Sequence, residues 1–123
     1  MAFAVEVIPD EARLFRRIHQ TQYDDKTGVV SSAAFRHDRM SVNWEKYSNA
    51  GNSTDQNSSA VVALIAGDCK PLGQTIEHTP IEPDQPTGPN QAHAEVCGAK
   101  KGVISRQLRD LAKIVWLRSQ TSA

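Results

Sequence analysis

Aromatic residues make up only 6% of the 123-residue chain, and hydrophobic residues 39%. So small an apolar share predicts one modest core and a single domain, since a chain of this length is too short for two independent ones. Cysteine occurs twice, as Cys69 and Cys97, in neither a CxxC pair nor a dense framework. A disulfide-stapled scaffold is therefore not expected. No run approaches the roughly 20 apolar residues that a membrane span needs. The longest, Ala60 to Ala66, is broken by Gly67 and Asp68. With no apolar-cored leader before the first charged segment, the expectation is a cytoplasmic protein that does not enter a membrane.

Net charge is also missing. Fourteen basic and fourteen acidic residues cancel, so the molecule as a whole has no electrostatic drive toward nucleic acid or anionic lipid. The distribution is uneven. Lys100, Lys101, Arg106, Arg109, Lys113 and Arg118 face a single acid, Asp110, in the last 24 residues, leaving eight basic against thirteen acidic residues elsewhere. A basic terminal stripe without interleaved aromatics reads as a solvated surface, and nucleic acid is not expected as a partner.

What is present divides into segments. Pro9 followed by Asp10 and Glu11 suits a helix start, and Leu14, Phe15 and Ile18 fall on one helical face, so an N-terminal helix is predicted from about Pro9 to Gln20. Tyr23 to Gly28 carries turn chemistry, and Val29 to Phe35 reads as a short strand or as the entry to a helix. Residues 49–59, rich in Asn, Ser and Gly, are expected to form a flexible surface loop. Ala60 to Ala66 is continuous and β-branched, which suits a strand buried on both faces. Four prolines between Thr79 and Pro89 exclude helix. After them, His93, Glu95 and Cys97 alternate with Ala92, Ala94 and Val96 as on a half-buried strand. Ile104, Leu108, Leu111 and Val115, widened by Ala112 and Trp116, recur at helical spacing and predict a long amphipathic C-terminal helix. The fold class expected is α+β: a small mixed or antiparallel sheet from the Val29, Ala60, Gln74 and Ala92 regions, flanked by those two helices.

Three stretches carry chemistry. In Arg16-Arg17-Ile18-His19, adjacent guanidinium groups and an imidazole suit a phosphate or another anion; a solvated helix face is the alternative. In Ser31-Ser32-Ala-Ala-Phe35, small hydroxyl residues suit close approach of a ligand. A nucleophilic serine lacks its GxSxG or SxxK setting there, and a structural turn is the alternative. The third runs from His78-Thr-Pro80 through the proline loop to Asn90-Gln-Ala-His93-Ala-Glu95-Val-Cys97. Were the strands bearing His78 and His93 paired, two imidazoles, an amide and a carboxylate would meet at one sheet end. His78 and His93 would act as acid and base, Asn90 would orient a ligand, and Glu95 would orient an imidazole. Structural histidines are the alternative. The spacing of His78, His93, Glu95 and Cys97 fits no metal signature, and neither a metal nor a cofactor is expected.

The blocks Phe15-Arg-Arg-Ile-His19, Ser31-Ser-Ala-Ala-Phe35, Ser41-Val42, His78-Thr-Pro80 and Asn90-Gln-Ala-His93, followed by a basic C-terminal helix, resemble in order a group of small bacterial hypothetical proteins. The resemblance spans most of the chain outside residues 49–59. Thr79 stands where the group carries an acid, and Gln91 where it carries proline. The group has no assigned activity, so the resemblance implies coherence among the blocks and no mechanism. A fainter similarity links the chain to ADP-ribosyltransferase-like toxins, whose terminal catalytic glutamate has no counterpart here.

The functional expectation is a polar pocket assembled from Arg16, Arg17, His19, Ser31, Ser32, His78, Asn90 and His93, recognising an anionic, phosphate-bearing or nucleotide-like ligand. It requires these blocks to converge on one cavity. The rival is a non-catalytic module that docks a protein partner through the C-terminal helix.

Overall fold

A computed structural model describes residues 3–121. Its centre is a six-stranded sheet in the order β6-β7-β4-β1-β5-β8. The strands are β1 (Arg13–His19), β4 (Arg39–Trp44), β5 (Ser58–Ile65), β6 (Thr75–His78), β7 (His93–Cys97) and β8 (Lys113–Leu117). Every pairing between neighbours is antiparallel. A two-stranded ribbon, β2 (Tyr23–Asp24) with β3 (Val29–Val30), lies apart from it. The helices are short: α1 (Ala66–Cys69), α2 (Val103–Leu111) and α3 (Arg118–Thr121). The fold is therefore predominantly antiparallel β, not an α+β sheet flanked by an N-terminal helix and a long C-terminal one. No helix among the described residues is long and apolar enough to cross a membrane.

Both expected helices are corrected. The N-terminal one is strand β1, paired along its length with β5 from Arg13↔Ile65 to His19↔Ser58. Leu14 and Ile18 satisfy a strand face as well as a helical one, and tertiary pairing decides between them. Pro9 opens a single turn, with Ala12 N–H donating to the Pro9 carbonyl at 3.1 Å.

The C-terminal periodicity holds only through α2. Ala112 is extended (φ −73°, ψ 139°), and Lys113–Leu117 pairs with β5 through Val62↔Ile114, Val61↔Trp116 and Ala60↔Leu117. The β-branched and aromatic run Ile114-Val115-Trp116 gains more from covering β5 than from continuing an exposed helix.

One sheet face carries the main core. Leu14, Ile18, Met40, Val42, Trp44, Val62, Leu64, Ala94 and Val96 pack there with Phe35 from the 3-10 turn Ser32–Phe35 and with Leu108 from α2. On the other face Phe15, Val61 and Ala63 make a small apolar patch with Ala50 and Trp116. The rest of that second face is polar. Residues 49–57 and the proline loop fold back toward it, and the cleft between them is the candidate site.

Lys100 is fully buried. Its ammonium donates to the carbonyls of Val96 (2.7 Å), Gly98 (3.0 Å) and Asp38 (3.1 Å), so each of its three protons has an acceptor. This knot joins the end of β7 to the approach to β4.

Candidate functional site

Strict alternation in β4 and β7 builds the polar wall. Arg39, Ser41 and Asn43 point to one face while Met40, Val42 and Trp44 point to the core. In the β4–β7 register Asn43 lies opposite His93 and Ser41 opposite Glu95, so His93 is a direct neighbour of Asn43 and a diagonal one of Ser41. Phe15 and Arg17 on β1 continue the surface. The resulting cleft of about 270 Å³ is lined by Phe15, Arg16, Arg17, Ser41, Asn43, Ser53, Ile81, Thr87, Asn90 and His93 among others.

An amide network ties the loops over this wall. Asn90 Nδ2 donates to Asn43 Oδ1 at 2.9 Å, and Asn43 Nδ2 donates to Ser53 Oγ at 3.1 Å. Ser53, in the segment expected to be a flexible loop, is buried and donates to the Asn49 carbonyl at 2.6 Å. The proline loop is closed by the isolated bridge between Ile81 and Asn90. A Cβ at Gly88 would stand 1.9 Å from the Glu82 carbonyl oxygen, so only glycine fits where the loop crosses itself.

His93 is held at both ring nitrogens. Nδ1 lies 2.9 Å from the Thr79 carbonyl oxygen and 3.0 Å from Thr79 Oγ1. A carbonyl only accepts, so Nδ1 carries the proton and Nε2 turns its lone pair to Ser41 Oγ at 3.3 Å. Behind it, Arg39 donates to Glu95 at 2.8 and 3.4 Å. That pairing is the main reason the Glu95 carboxyl is held below its usual range.

The two arginines differ. Arg16 points toward the core side, donating through Nε to the Ala34 carbonyl (3.2 Å) and through Nη1 to the Ser41 carbonyl (3.0 Å). Burial, with a smaller contribution from Arg17, pushes its guanidinium down to about 10. Arg17 is exposed at the cleft mouth and pairs through Nε with Asp55 Oδ2 at 3.2 Å. The Asp55 carboxyl is lowered chiefly by the Ser58 hydroxyl.

Convergence of the expected residues is partial, and the eight-residue pocket does not form. Arg16, Arg17, Asn90 and His93 line the cleft. His78 lies on the core face, with Nδ1 accepting from Glu6 N–H (3.0 Å) and Nε2 donating to the Gln91 carbonyl (2.8 Å). It stacks on Tyr47 and meets Trp44 edge-on. The strands bearing His78 and His93 are paired, but at adjacent register positions, His78 opposite Ala94, so the two rings face opposite sides. Ser31 caps the 3-10 turn, accepting from Ala33 N–H at 3.2 Å, and Ser32 begins that turn, on the core side. His19 likewise caps the turn after β1, accepting from Thr21 N–H at 3.1 Å.

Sequence reasoning missed Ser41, Asn43 and Ser53 as cleft residues, and Thr79 as the residue that holds His93 from behind. The alternation from Arg39 to Trp44 already places Ser41 and Asn43 together on a polar face. Ser53 and Thr79 carry no local signal. Among the described residues no group of three His, Cys, Asp or Glu is placed to hold a metal. No protein-family model matches the chain, and comparison with curated proteins and with solved structures finds no significant match to either.

Proposed function

We propose that the chain is a small-ligand-binding protein whose cleft recognises an anionic, phosphate-bearing or nucleotide-like molecule. The observation that carries this reading is the meeting of Arg17, Asn90 and His93 on one cleft of about 270 Å³ over an apolar floor at Phe15. A guanidinium at the mouth supplies charge and the Asn43 and Asn90 amides supply directed N–H donors, above a floor at Phe15 that is buried beneath the Arg13 guanidinium. Asp55 occupies Arg17 in the absence of ligand, and an anion of higher charge displaces it. Four of the blocks that carry the bacterial resemblance (RRIH, Ser41-Val42, His78-Thr-Pro80 and Asn90-Gln-Ala-His93) contribute residues at or behind this cleft. A bacterial, cytoplasmic setting belongs to the same reading, supported by the resemblance and by the unpaired, buried Cys69 and Cys97.

A thermal-shift screen against nucleotides, NAD, phosphorylated sugars, short RNA and divalent metals tests it. Stabilisation by a phosphate-bearing compound, lost in Arg17→Ala and kept in His78→Ala, is expected. No stabilisation by any compound overturns the reading.

A partner-binding module is the second reading, favoured by one observation: β8 is an edge strand that leaves Ile114 and Val115 exposed. Its contact would run along a strand, not a helix. Val115→Lys would abolish partner capture and leave ligand stabilisation intact.

A further inference from the structure

We infer that Ser41 and His93 form a nucleophile and base pair that takes a small ester carrying an anionic group, an inference that rests on the ligand-binding reading of the cleft.

Four contacts in sequence carry it. Ser41 Oγ stands 3.3 Å from His93 Nε2. His93 Nδ1 donates to the Thr79 carbonyl at 2.9 Å, which fixes the tautomer that leaves Nε2 basic. The Thr79 hydroxyl lies 3.0 Å from the same Nδ1, and Glu95, two residues on from His93 along β7, places a carboxylate on the same strand face. Arg39 clamps that carboxylate at 2.8 Å. The order, hydroxyl to imidazole to an anchored acceptor, is the arrangement a serine nucleophile requires, assembled here from one face of two adjacent strands. Ser41 is exposed to the cleft and held by the backbone, its carbonyl accepting from Arg16 Nη1 at 3.0 Å. The Asn43 and Asn90 amide nitrogens each carry a second N–H beyond the bonds already described, and those are the donors for an oxyanion.

In the reaction Ser41 Oγ bonds to the ester carbonyl carbon as its proton passes to His93 Nε2. The C–O bond to the leaving alcohol breaks, and that alcohol takes the proton from the imidazolium. Water then attacks the acyl-serine with His93 again as base, releasing the carboxylic acid and restoring the Ser41 hydroxyl. Arg17 at the cleft mouth selects the anionic group.

The test uses the full chain and three probes: a fluorophosphonate followed by peptide mass mapping, p-nitrophenyl acetate against p-nitrophenyl hydrogen succinate, and inorganic phosphate followed by amide NMR. One adduct is expected, on Ser41, with labelling abolished in Ser41→Ala and slowed about 100-fold in His93→Gln. The succinate ester should be cleaved about tenfold faster than the acetate, with the preference lost in Arg17→Ala. Thr79→Val keeps both reacting groups, so it should slow labelling severalfold with Ser41 still the labelled residue, and Thr79→Ser, which keeps the hydroxyl beside Nδ1, should restore the rate. No adduct, or an adduct on another serine, while phosphate still perturbs the cleft amides overturns the nucleophile and leaves ligand binding standing. An adduct on Ser41 with no phosphate response and no ester preference keeps the nucleophile and overturns the anionic substrate.

Discussion

Arg16 donates through Nη1 to the Ser41 carbonyl oxygen at 3.0 Å, across the place where β1 and β4 separate. Those strands pair through Leu14↔Trp44 and Phe15↔Asn43, and past that point the guanidinium supplies the donors that a continued ladder would have supplied. A charged residue on the core face of β1 is thereby satisfied, and the backbone of Ser41 is fixed beside the cleft.

Arg16→Ala should accordingly destabilise the protein by about 2 kcal/mol, because the Ala34 and Ser41 carbonyls lose a charged donor in a half-buried setting. Urea denaturation measures it. Arg16→Lys should recover only part of the loss, since one ammonium on a flexible stem does not reproduce the planar fork.

His78 is expected to behave as a core residue. His78→Ala should cost about 2 to 3 kcal/mol, from the cavity left beside Trp44 and the unpaired Gln91 carbonyl. Hydrogen exchange should speed up at the Glu6 amide, which donates to the ring. Ligand responses should not change, because the ring lies across the sheet from the cleft.

Lys100→Met should cost about 3 kcal/mol, leaving three buried carbonyls without a donor. Chemical denaturation checks it. The cost should fall mainly on stability, because the knot lies at the far end of β7 from His93.

Acid stability should track Glu95. Its folded-state carboxyl is lowered from a usual value of 4.5, so the stabilisation is present above that value and is lost as pH falls through the lower folded one. Glu95→Gln should be less stable than the parent at pH 7, and the two should converge in strongly acid solution. Thermal melts across the range from neutral to acid measure the convergence.

Strands β5 and β7 were legible in the sequence; β1 and β8 read as helix, and the Val29 region, expected in the main sheet, forms the separate β2–β3 ribbon. The continuous run Ala60 to Ala66 falls on β5 as far as Ile65, buried on both faces, and the alternation from Ala92 to Cys97 falls on β7 from His93 onward. Both patterns are period-two or unbroken, and no helical reading competes with them over that length. Leu14 and Ile18 satisfy two periodicities at once, while Phe15, which shares their face only on a helix, points to the other side of the sheet. Arg16 obscured the strand, because its partners are the carbonyls of residues 18 and 25 positions away. The C-terminal stripe was read through Ala112, where pairing with β5 ends the helix.

For the site, chemistry was easier to read than direction. His78 and His93 both carry hydrogen-bonded imidazoles, but neighbouring register sets them on opposite faces, and one residue of register decides which ring meets the cleft. Ser53 enters only through loop closure, which leaves no periodic trace, and Thr79 enters through the extension of the β6–β7 ladder, its N–H donating to the His93 carbonyl at 3.0 Å.

The most direct test of the central claim is an amide NMR titration of the full chain with inorganic phosphate and then with a nucleoside monophosphate. Saturable shifts confined to Arg17, Asn43, Asn90, His93 and their neighbours, absent in Arg17→Ala, are the result predicted. Shifts that stay linear with concentration and spread over the surface lysines, or no shifts in the cleft, would contradict it.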